Sequence, residues 1–234
     1  MRVRVGFTPV DEVAAPLGIV IDVLRATSTI CQALASGYER VVCVGEIDDA
    51  RALARPGVAL AGERGNVRID GFDFGNSPRE FGQGSDPLTV VTRSTLVLTT
   101  TNGTRLLVSA AARCDEVLVA SLLNLDAVVA AARAADEVAI LCAGVERAFA
   151  IDDAYVAGRI AAALDGEPDD AAVAAIRLAR AFATAEEGIG GGVSAANIRH
   201  AHLDADIPFC ARESVLEIVP RVVARSETSV EIAV

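Results

Sequence analysis

A buried strand that runs directly into a helix, at residues 18–30, is the feature that most constrains the fold of this chain. Residues 18–23 form a short run that is rich in β-branched side chains and apolar apart from Asp22, typical of a strand buried on both faces. The hydroxyl residues at 27–29 then predict the start of a helix, because apolar residues follow them at helical spacing. A strand covered on both faces needs a layer on each side, so this segment favours a layered α/β fold.

Strand-like and helix-like segments alternate along the rest of the chain. The predicted strands are residues 2–7, 17–23, 40–44, 58–61, 95–100, 116–120, 137–142, 215–219 and 229–234. The predicted helices are residues 27–37, 47–54, 103–112, 125–135, 152–164, 169–184 and 195–202, with a flexible connection at 188–192. This order predicts a three-layer α/β/α fold with a parallel or mixed central sheet. We expect a single domain over residues 1–234, although two intertwined α/β halves would give the same pattern.

Residues 62–87 interrupt this alternation. The segment is rich in glycine, phenylalanine and polar residues and has no sustained period. A connection of this length inside a compact domain is commonly functional, and its phenylalanines favour a packed loop over disorder. We predict that residues 62–78 cover the active-site cleft, with Glu63 and Asn76 pointing into it. The alternative is a loop that packs its phenylalanines on the outside of the sheet.

Composition argues against several classes of function. A formal net charge of −11 makes the chain a poor candidate for binding nucleic acid or an anionic membrane. The five cysteines are scattered and lack C-x-x-C spacing, so we expect buried thiols rather than a zinc site or disulfides. No signal-peptide pattern and no uncharged apolar run of transmembrane length is present, which predicts a cytoplasmic protein. An Ala- and Val-rich chain of this size is also a candidate homodimer.

Polar side chains gather at the predicted carboxyl ends of five strands, which is where open α/β sheets bind ligands. They are Asp22 and Arg25, Glu63 and Arg64, the run Asn102, Gly103 and Thr104, Ser121 and Asn124, and Asp152 and Asp153. Each group alone has a local explanation as a cap, a turn or a solvated pair. In particular, Arg25 could serve only to neutralise Asp22. Five groups at one edge of a parallel sheet nevertheless indicate one site.

The residue types at this edge suit phosphoryl chemistry on a small anion. Carboxylates are hard ligands for Mg²⁺, so the predicted metal ligands are Asp22, Glu63, Asp152 and Asp153. The predicted phosphate-binding residues are Arg25, Arg64, Asn76, Asn102, Gly103 and Thr104. The two histidines lie together far along the chain, which argues against a Ser-His-Asp triad, and neither a P-loop nor a dinucleotide-binding fingerprint is present. We predict Asp22 and Arg25 to be catalytic; whether Asp22 is a nucleophile or a metal ligand is left open.

Five motifs together resemble the 2-phosphosulfolactate phosphatase family. They are IDVLRATST at 21–29, GER at 62–64, GFDFGNSP at 71–78, TTNGTR at 100–105 and CAG at 142–144. The resemblance implies a Mg²⁺-dependent hydrolysis of the phosphate ester of a 2-hydroxy acid. It implies 2-phosphosulfolactate as substrate, with release of sulfolactate and phosphate on the route to coenzyme M. Asp152 stands where that family typically has Glu, which shortens one expected ligand by a methylene.

Two alternatives stay open from the residues. A haloacid-dehalogenase-like phosphatase would also end an apolar strand in an aspartate such as Asp22. That plan places an acid two residues later, where this chain has Leu24, and commonly uses a lysine, which this chain lacks. A non-catalytic sensor of small anions would use the same arginines and helix starts. Four carboxylates would repel its ligand unless a metal ion intervened.

Overall fold

The computed structural model describes residues 1–81 and 94–234. Their strands are β1 (Arg2–Gly6), β2 (Leu17–Ile21), β3 (Arg40–Val44), β4 (Val58–Arg64), β5 (Val67–Arg68), β6 (Thr95–Thr99), β7 (Glu116–Ala120), β8 (Glu137–Cys142), β9 (Glu167–Pro168), β10 (Arg221–Arg225) and β11 (Ser229–Ala233). Their helices are α1 (Ala26–Ala35), α2 (Ile47–Ala52), α3 (Gly103–Arg113), α4 (Leu125–Ala132), α5 (Ile151–Leu164), α6 (Asp170–Ala179), α7 (Ala185–Gly190), α8 (Val193–His200) and α9 (Asp206–Cys210). Two short 3₁₀ segments lie at Pro78–Phe81 and Leu122–Asn124.

The strands of the described residues form one mixed sheet in the order β5-β4-β6-β3-β11-β10-β7-β2-β8-β1-β9. One parallel block contains β4, β6 and β3, and a second contains β7, β2, β8, β1 and β9. The antiparallel hairpin β10–β11 joins the two blocks and also pairs antiparallel with each of them. The predicted α/β/α fold with a parallel or mixed sheet is confirmed, and the sheet is mixed because of this carboxyl-terminal hairpin.

Strand β2 explains why the fold has three layers. Every residue of β2 is buried. Ile19 and Ile21 pack into a core cluster with residues of α4, α5 and α6, whereas Val20 packs into a second cluster with residues of α1 and α3. Successive strand residues point to opposite faces, so β2 is covered by helices on both sides.

Two predictions of local structure were wrong. Residues 188–192 were predicted to be a flexible connection, but most of this run lies in α7, whose start is capped by the Thr184 hydroxyl. The penultimate strand lies at Arg221–Arg225 rather than at 215–219, because Pro220 has no N–H to donate and the pairing with β7 and β11 begins after it. The helix predicted from about residue 27 is confirmed. It is α1, which starts at Ala26, and the hydroxyls of Thr27 and Ser28 bond back to the carbonyls of Asp22 and Val23 from inside its first turn.

The segment predicted as a long irregular loop at 62–87 is partly regular. Strand β4 continues to Arg64, and the two-residue turn Gly65-Asn66 connects it to β5. Both turn residues have positive φ, as a type I′ turn requires. Phe74 and Phe81 pack against each other, and Phe81 also contacts Tyr38. Residues 82–87 of the predicted loop lie outside the described residues.

The cysteines agree with the expectation of buried thiols. All five cysteines are free and buried, and burial raises the pKa of the Cys31 and Cys210 thiols to about 12. Thiols held protonated in this way are inert side chains of the core. Within the described residues, every helix is too short or too polar to cross a membrane.

Candidate active site

The turn between β2 and α1 places Asp22 at the centre of the candidate site. The backbone N–H of Asp22 donates to the Thr27 hydroxyl, and its Oδ1 accepts the N–H of Ala26 at 3.2 Å. These bonds fix the carboxylate at the start of α1. The hydroxyl-rich sequence after Asp22 therefore closes the turn rather than supplying a ligand-binding side chain.

Gly103, the first residue of α3, lies directly against this carboxylate. A Cβ added at Gly103 would collide with Asp22 Oδ2 and would lie 2.7 Å from Ala26 Cβ. Only glycine therefore allows the start of α3 to approach the turn after β2 so closely. The close approach brings the ends of β2 and β6 together, although these strands are not neighbours in the sheet.

Glu63, near the end of β4, lies in the same cavity as Asp22. Its Oε1 accepts the backbone N–H and the hydroxyl of Thr101, and its Oε2 accepts the N–H of Asn66 at 2.8 Å. The Glu63 side chain thus ties the β4–β5 turn to the segment after β6. Because both oxygens already have protein donors, Glu63 shapes the cavity wall and adds negative charge to it.

Arg25 is buried, with 2% of its side chain exposed, and its partner is Asp206 rather than Asp22. Arg25 Nη1 donates to Asp206 Oδ2 at 2.7 Å, and Nη2 donates to Asn66 Oδ1 at 3.3 Å. The other oxygen of Asp206 accepts the Ser77 hydroxyl at 2.6 Å. This chain of bonds orients the guanidinium, which also lines the cavity.

The two acids at the start of α5 have different surroundings. Asp153 accepts the backbone N–H of Val23 and of Gly144, one on each oxygen and both at 2.9 Å. This bonding ties α5 to the ends of β2 and β8 and gives Asp153 a structural role. Asp152 Oδ1 accepts the hydroxyl of Ser194 at 2.8 Å.

Burial and mutual repulsion make these carboxyls hard to ionise. The pKa of Asp22 is raised to about 7, chiefly by burial and also by the charges of Asp152 and Glu63, while the Ala26 N–H and Arg25 oppose the rise. Burial likewise raises the pKa of Asp152 to about 6, against the hydrogen bond from Ser194. The pKa of Asp153 is raised by burial and by the charges of Asp152 and Asp22. A bound cation would relieve this repulsion and keep the group ionised.

A cavity of about 90 Å³ is lined by five of the ten predicted site residues. Its wall includes Asp22, Arg25, Glu63, Asn76 and Asn102, together with residues that the sequence did not single out: Leu24, Gly65, Asn66, Thr101, Val145, Glu146, Ser194 and Asn197. The carboxyl ends of strands from both parallel blocks meet at this cavity, although the two blocks run in opposite directions.

Three predicted phosphate-binding residues are placed differently from the rest. Arg64 is directed away from the cavity wall and donates to the carbonyls of Glu63 and Gly45 and to the Thr99 hydroxyl. Thr104 exchanges hydrogen bonds with Thr100 and is fully buried. Gly103 contacts Asp22 through its backbone, as described above. Arg64 and Thr104 therefore stabilise the turns around the site.

Sequence reasoning missed Asp206, Asn66 and Ser194. Asn66 had a local signal, because Gly-Asn between two strand-like runs is typical of a two-residue hairpin turn. Asp206 and Ser194 had none, since each reaches its partner across more than forty residues of chain. A short polar residue at a helix start is otherwise interpreted as a cap.

The residues of the site would supply only part of the ligands that a Mg²⁺ ion needs. Within residues 1–81 and 94–234, no three Asp, Glu, His or Cys side chains are grouped closely enough to hold one metal ion. The four predicted ligands therefore do not form a complete cage. Asn76 Oδ1, however, is buried without a hydrogen-bond partner among the described residues, and it lies in the wall of the Asp22 cavity. Hard oxygens of this kind, with one or two carboxylates and water, are what Mg²⁺ commonly uses.

Comparison with known proteins identifies the family. The 2-phosphosulpholactate phosphatase family model matches residues 7–225. A probable 2-phosphosulfolactate phosphatase of Thermus thermophilus is 38% identical over 227 residues, covering 94% of each chain. The 2-phosphosulfolactate phosphatase of Methanothermobacter thermautotrophicus is 37% identical over 221 residues, covering 94% of this chain and 92% of its own. The chain therefore belongs to the 2-phosphosulfolactate phosphatase family, a family of phosphoric monoester hydrolases.

Proposed function

We propose that this protein is a Mg²⁺-dependent phosphatase that hydrolyses the phosphate ester of a 2-phospho-hydroxy acid, with 2-phosphosulfolactate as its substrate. Its products would be sulfolactate and phosphate, as on the route to coenzyme M. The observation that carries the proposal is the cavity in which Asp22, Glu63 and Arg25 meet, in a chain that matches the family over nearly its whole length.

Asp22 and Asp152 are the carboxylates that we assign to the metal ion. Both are buried and their charges repel each other, whereas both oxygens of Glu63 and of Asp153 already accept protein N–H groups. Asn76 Oδ1 would accept a hydrogen bond from a coordinated water. When bound, Mg²⁺ supplies charge neutralisation for the phosphoryl oxygens and fixes their orientation.

Arg25 is the residue that we assign to the phosphoryl group itself. Asp206 and Asn66 hold one hydrogen each from its two terminal nitrogens, so the guanidinium cannot rotate freely. Its remaining N–H groups are then available to equatorial phosphoryl oxygens, where negative charge spreads in the transition state. In the overall reaction a water oxygen bonds to phosphorus, the ester P–O bond breaks, and the leaving alkoxide takes up a proton.

Phosphate release by the purified protein tests this proposal. The substrates are 2-phosphosulfolactate, 2-phospholactate and p-nitrophenyl phosphate, each with added Mg²⁺ and with EDTA. We expect turnover that is highest on 2-phosphosulfolactate and that EDTA abolishes. Binding of these anions without phosphate release would contradict the proposal and favour the sensor.

Borohydride trapping during turnover separates this enzyme from a haloacid-dehalogenase-like phosphatase. Water attacks phosphorus in both mechanisms, so the species that distinguishes them is an aspartyl-phosphate on Asp22. Borohydride reduces such an acyl phosphate to homoserine; a homoserine residue in the Asp22 peptide would identify the covalent intermediate, whereas an unmodified peptide supports direct attack by water.

A further inference from the structure

A second cavity, of about 400 Å³, adjoins the Asp22 cavity, and we call it the arginine cavity. The two cavities share three wall residues, namely Arg25, Asn66 and Asn76. The arginine cavity is further lined by Arg68 and Arg79. We propose that it binds a second anionic group of the substrate, a sulfonate, while the phosphate group occupies the Asp22 cavity; this inference rests on the function proposed above.

The charges on the two sides of the shared wall have opposite sign. Asp22 and Glu63 make the first cavity negative, so an anion needs a metal ion to enter it. Arg68 and Arg79 make the second cavity positive, so an anion can enter it directly. The carboxylate of Glu80 also lines the second cavity, but it accepts the backbone N–H groups of Gly75 and Ser77.

Two exposed arginines line the arginine cavity from different segments of the chain. Arg68 extends from β5 and donates one hydrogen to the carbonyl of Asp73, a neutral acceptor that does not compensate its charge. Arg79 lies on the 3₁₀ segment at Pro78–Phe81. Both side chains belong to exposed residues, so they can move onto a ligand. A guanidinium offers two parallel N–H donors, and these match two oxygens of a sulfonate.

The wall between the two cavities suits a substrate that reaches into both of them. Asn76 is 6% exposed, lies in both walls, and carries an oxygen without a partner among the described residues. Arg25 faces both cavities but is already paired with Asp206. A substrate with a phosphate ester at one carbon and a sulfonate at the next can therefore bridge the wall, with its hydroxy-acid carbons beside Arg25 and Asn76.

The proposal is tested by removing the two exposed arginine charges and comparing two substrates. The variants are Arg68→Gln, Arg79→Gln and their combination, and Arg55→Gln, an exposed arginine outside both cavities, is the matched control. We expect the double variant to raise KM for 2-phosphosulfolactate by about tenfold or more, with kcat within about threefold. On 2-phospholactate, which lacks the sulfonate, kcat/KM should stay within about twofold. Equal losses on both substrates would mean that the carboxylate fills this cavity, and no loss on either would mean that nothing does; either result overturns the proposal.

A binding measurement keeps this test independent of catalysis. Titration calorimetry measures the affinity of the wild type and the double variant for sulfolactate and for lactate. We expect sulfolactate to bind the wild type and to lose about tenfold or more in affinity in the double variant. If the wild type binds sulfolactate in this arginine-dependent way but releases no phosphate, the proposed function fails and the subsite stands. Sulfolactate binding that is absent, or equal in both proteins, overturns the subsite whatever the turnover.

Discussion

Replacement of Asp22 by Asn should stabilise the metal-free protein at neutral and alkaline pH. Burial raises the pKa of Asp22 from 3.8 to about 7, so the folded state binds a proton that the unfolded state has released. Stability contributed by that proton is complete below about pH 4 and is lost as the pH rises through the folded pKa. Asn keeps the acceptor for the Ala26 N–H but carries no charge at any pH.

The size of the effect follows from the same shift. A rise in pKa from 3.8 to about 7 corresponds to about 4 kcal/mol, at about 1.4 kcal/mol per pH unit. Part of this free energy is repulsion between Asp22 and the charges of Asp152 and Glu63, and that repulsion is absent when residue 22 is neutral. We therefore expect the variant to gain on the order of 2–4 kcal/mol in free energy of unfolding at about pH 8, and little at about pH 4.

Urea denaturation in EDTA, followed by circular dichroism across this pH range, measures the effect. The exposed Asp115→Asn variant is the matched control and should follow the wild type. The reasoning would be refuted by an Asp22→Asn protein less stable than the wild type at about pH 8, or by a difference that does not grow between about pH 4 and about pH 7.

Three further variants or additions test the site. Excess Mg²⁺ should raise the melting temperature of the wild type but not of Asp22→Asn, because the ion stabilises the folded state only where the Asp22 carboxylate can bind it. Equal shifts in both proteins would contradict Asp22 as a metal ligand. Asp206→Ala should lower the free energy of unfolding by about 3–5 kcal/mol, measured by urea denaturation, and should lower kcat, because it leaves the buried Arg25 without its ion-pair partner. An unchanged kcat would contradict the role of Asp206 in orienting Arg25. Gly103→Ala should lower both stability and activity because its Cβ collides with Asp22, whereas Gly45→Ala, whose Cβ would meet its nearest neighbour at 3.7 Å, should have normal kinetics.

The sequence predicted the parts of this fold that depend on local patterns. The apolar run of β2 and the hydroxyl-rich start of α1 specify a buried strand and a turn, and the structure has both. The reversal of direction across the sheet could not be predicted in this way. It depends on pairing of the carboxyl-terminal hairpin β10–β11 with β3 and β7, which lie far away in sequence.

In the candidate site, too, local sequence patterns predicted some residues, whereas contacts between distant segments decided others. Asp22, Glu63 and Asn76 each follow or end a recognisable segment, and all three lie in the wall of one cavity. Arg25 was predicted beside Asp22, but its partner is Asp206, on a helix that folds back from the other end of the chain. Local charge spacing suggests a nearby partner for a buried arginine, whereas tertiary packing decides which carboxylate reaches it.

The most direct test of the account is the steady-state rate of phosphate release from 2-phosphosulfolactate by Asp22→Asn, measured with Mg²⁺ beside the wild type. Circular dichroism and the melting temperature establish that the variant is folded. Because Asp22 lies at the centre of the proposed phosphoryl site, we predict that kcat/KM falls by a factor of about a hundred or more, on the order of 3 kcal/mol of transition-state stabilisation. A folded variant whose activity stays within about tenfold of the wild type would contradict the assignment of this cavity as the active site.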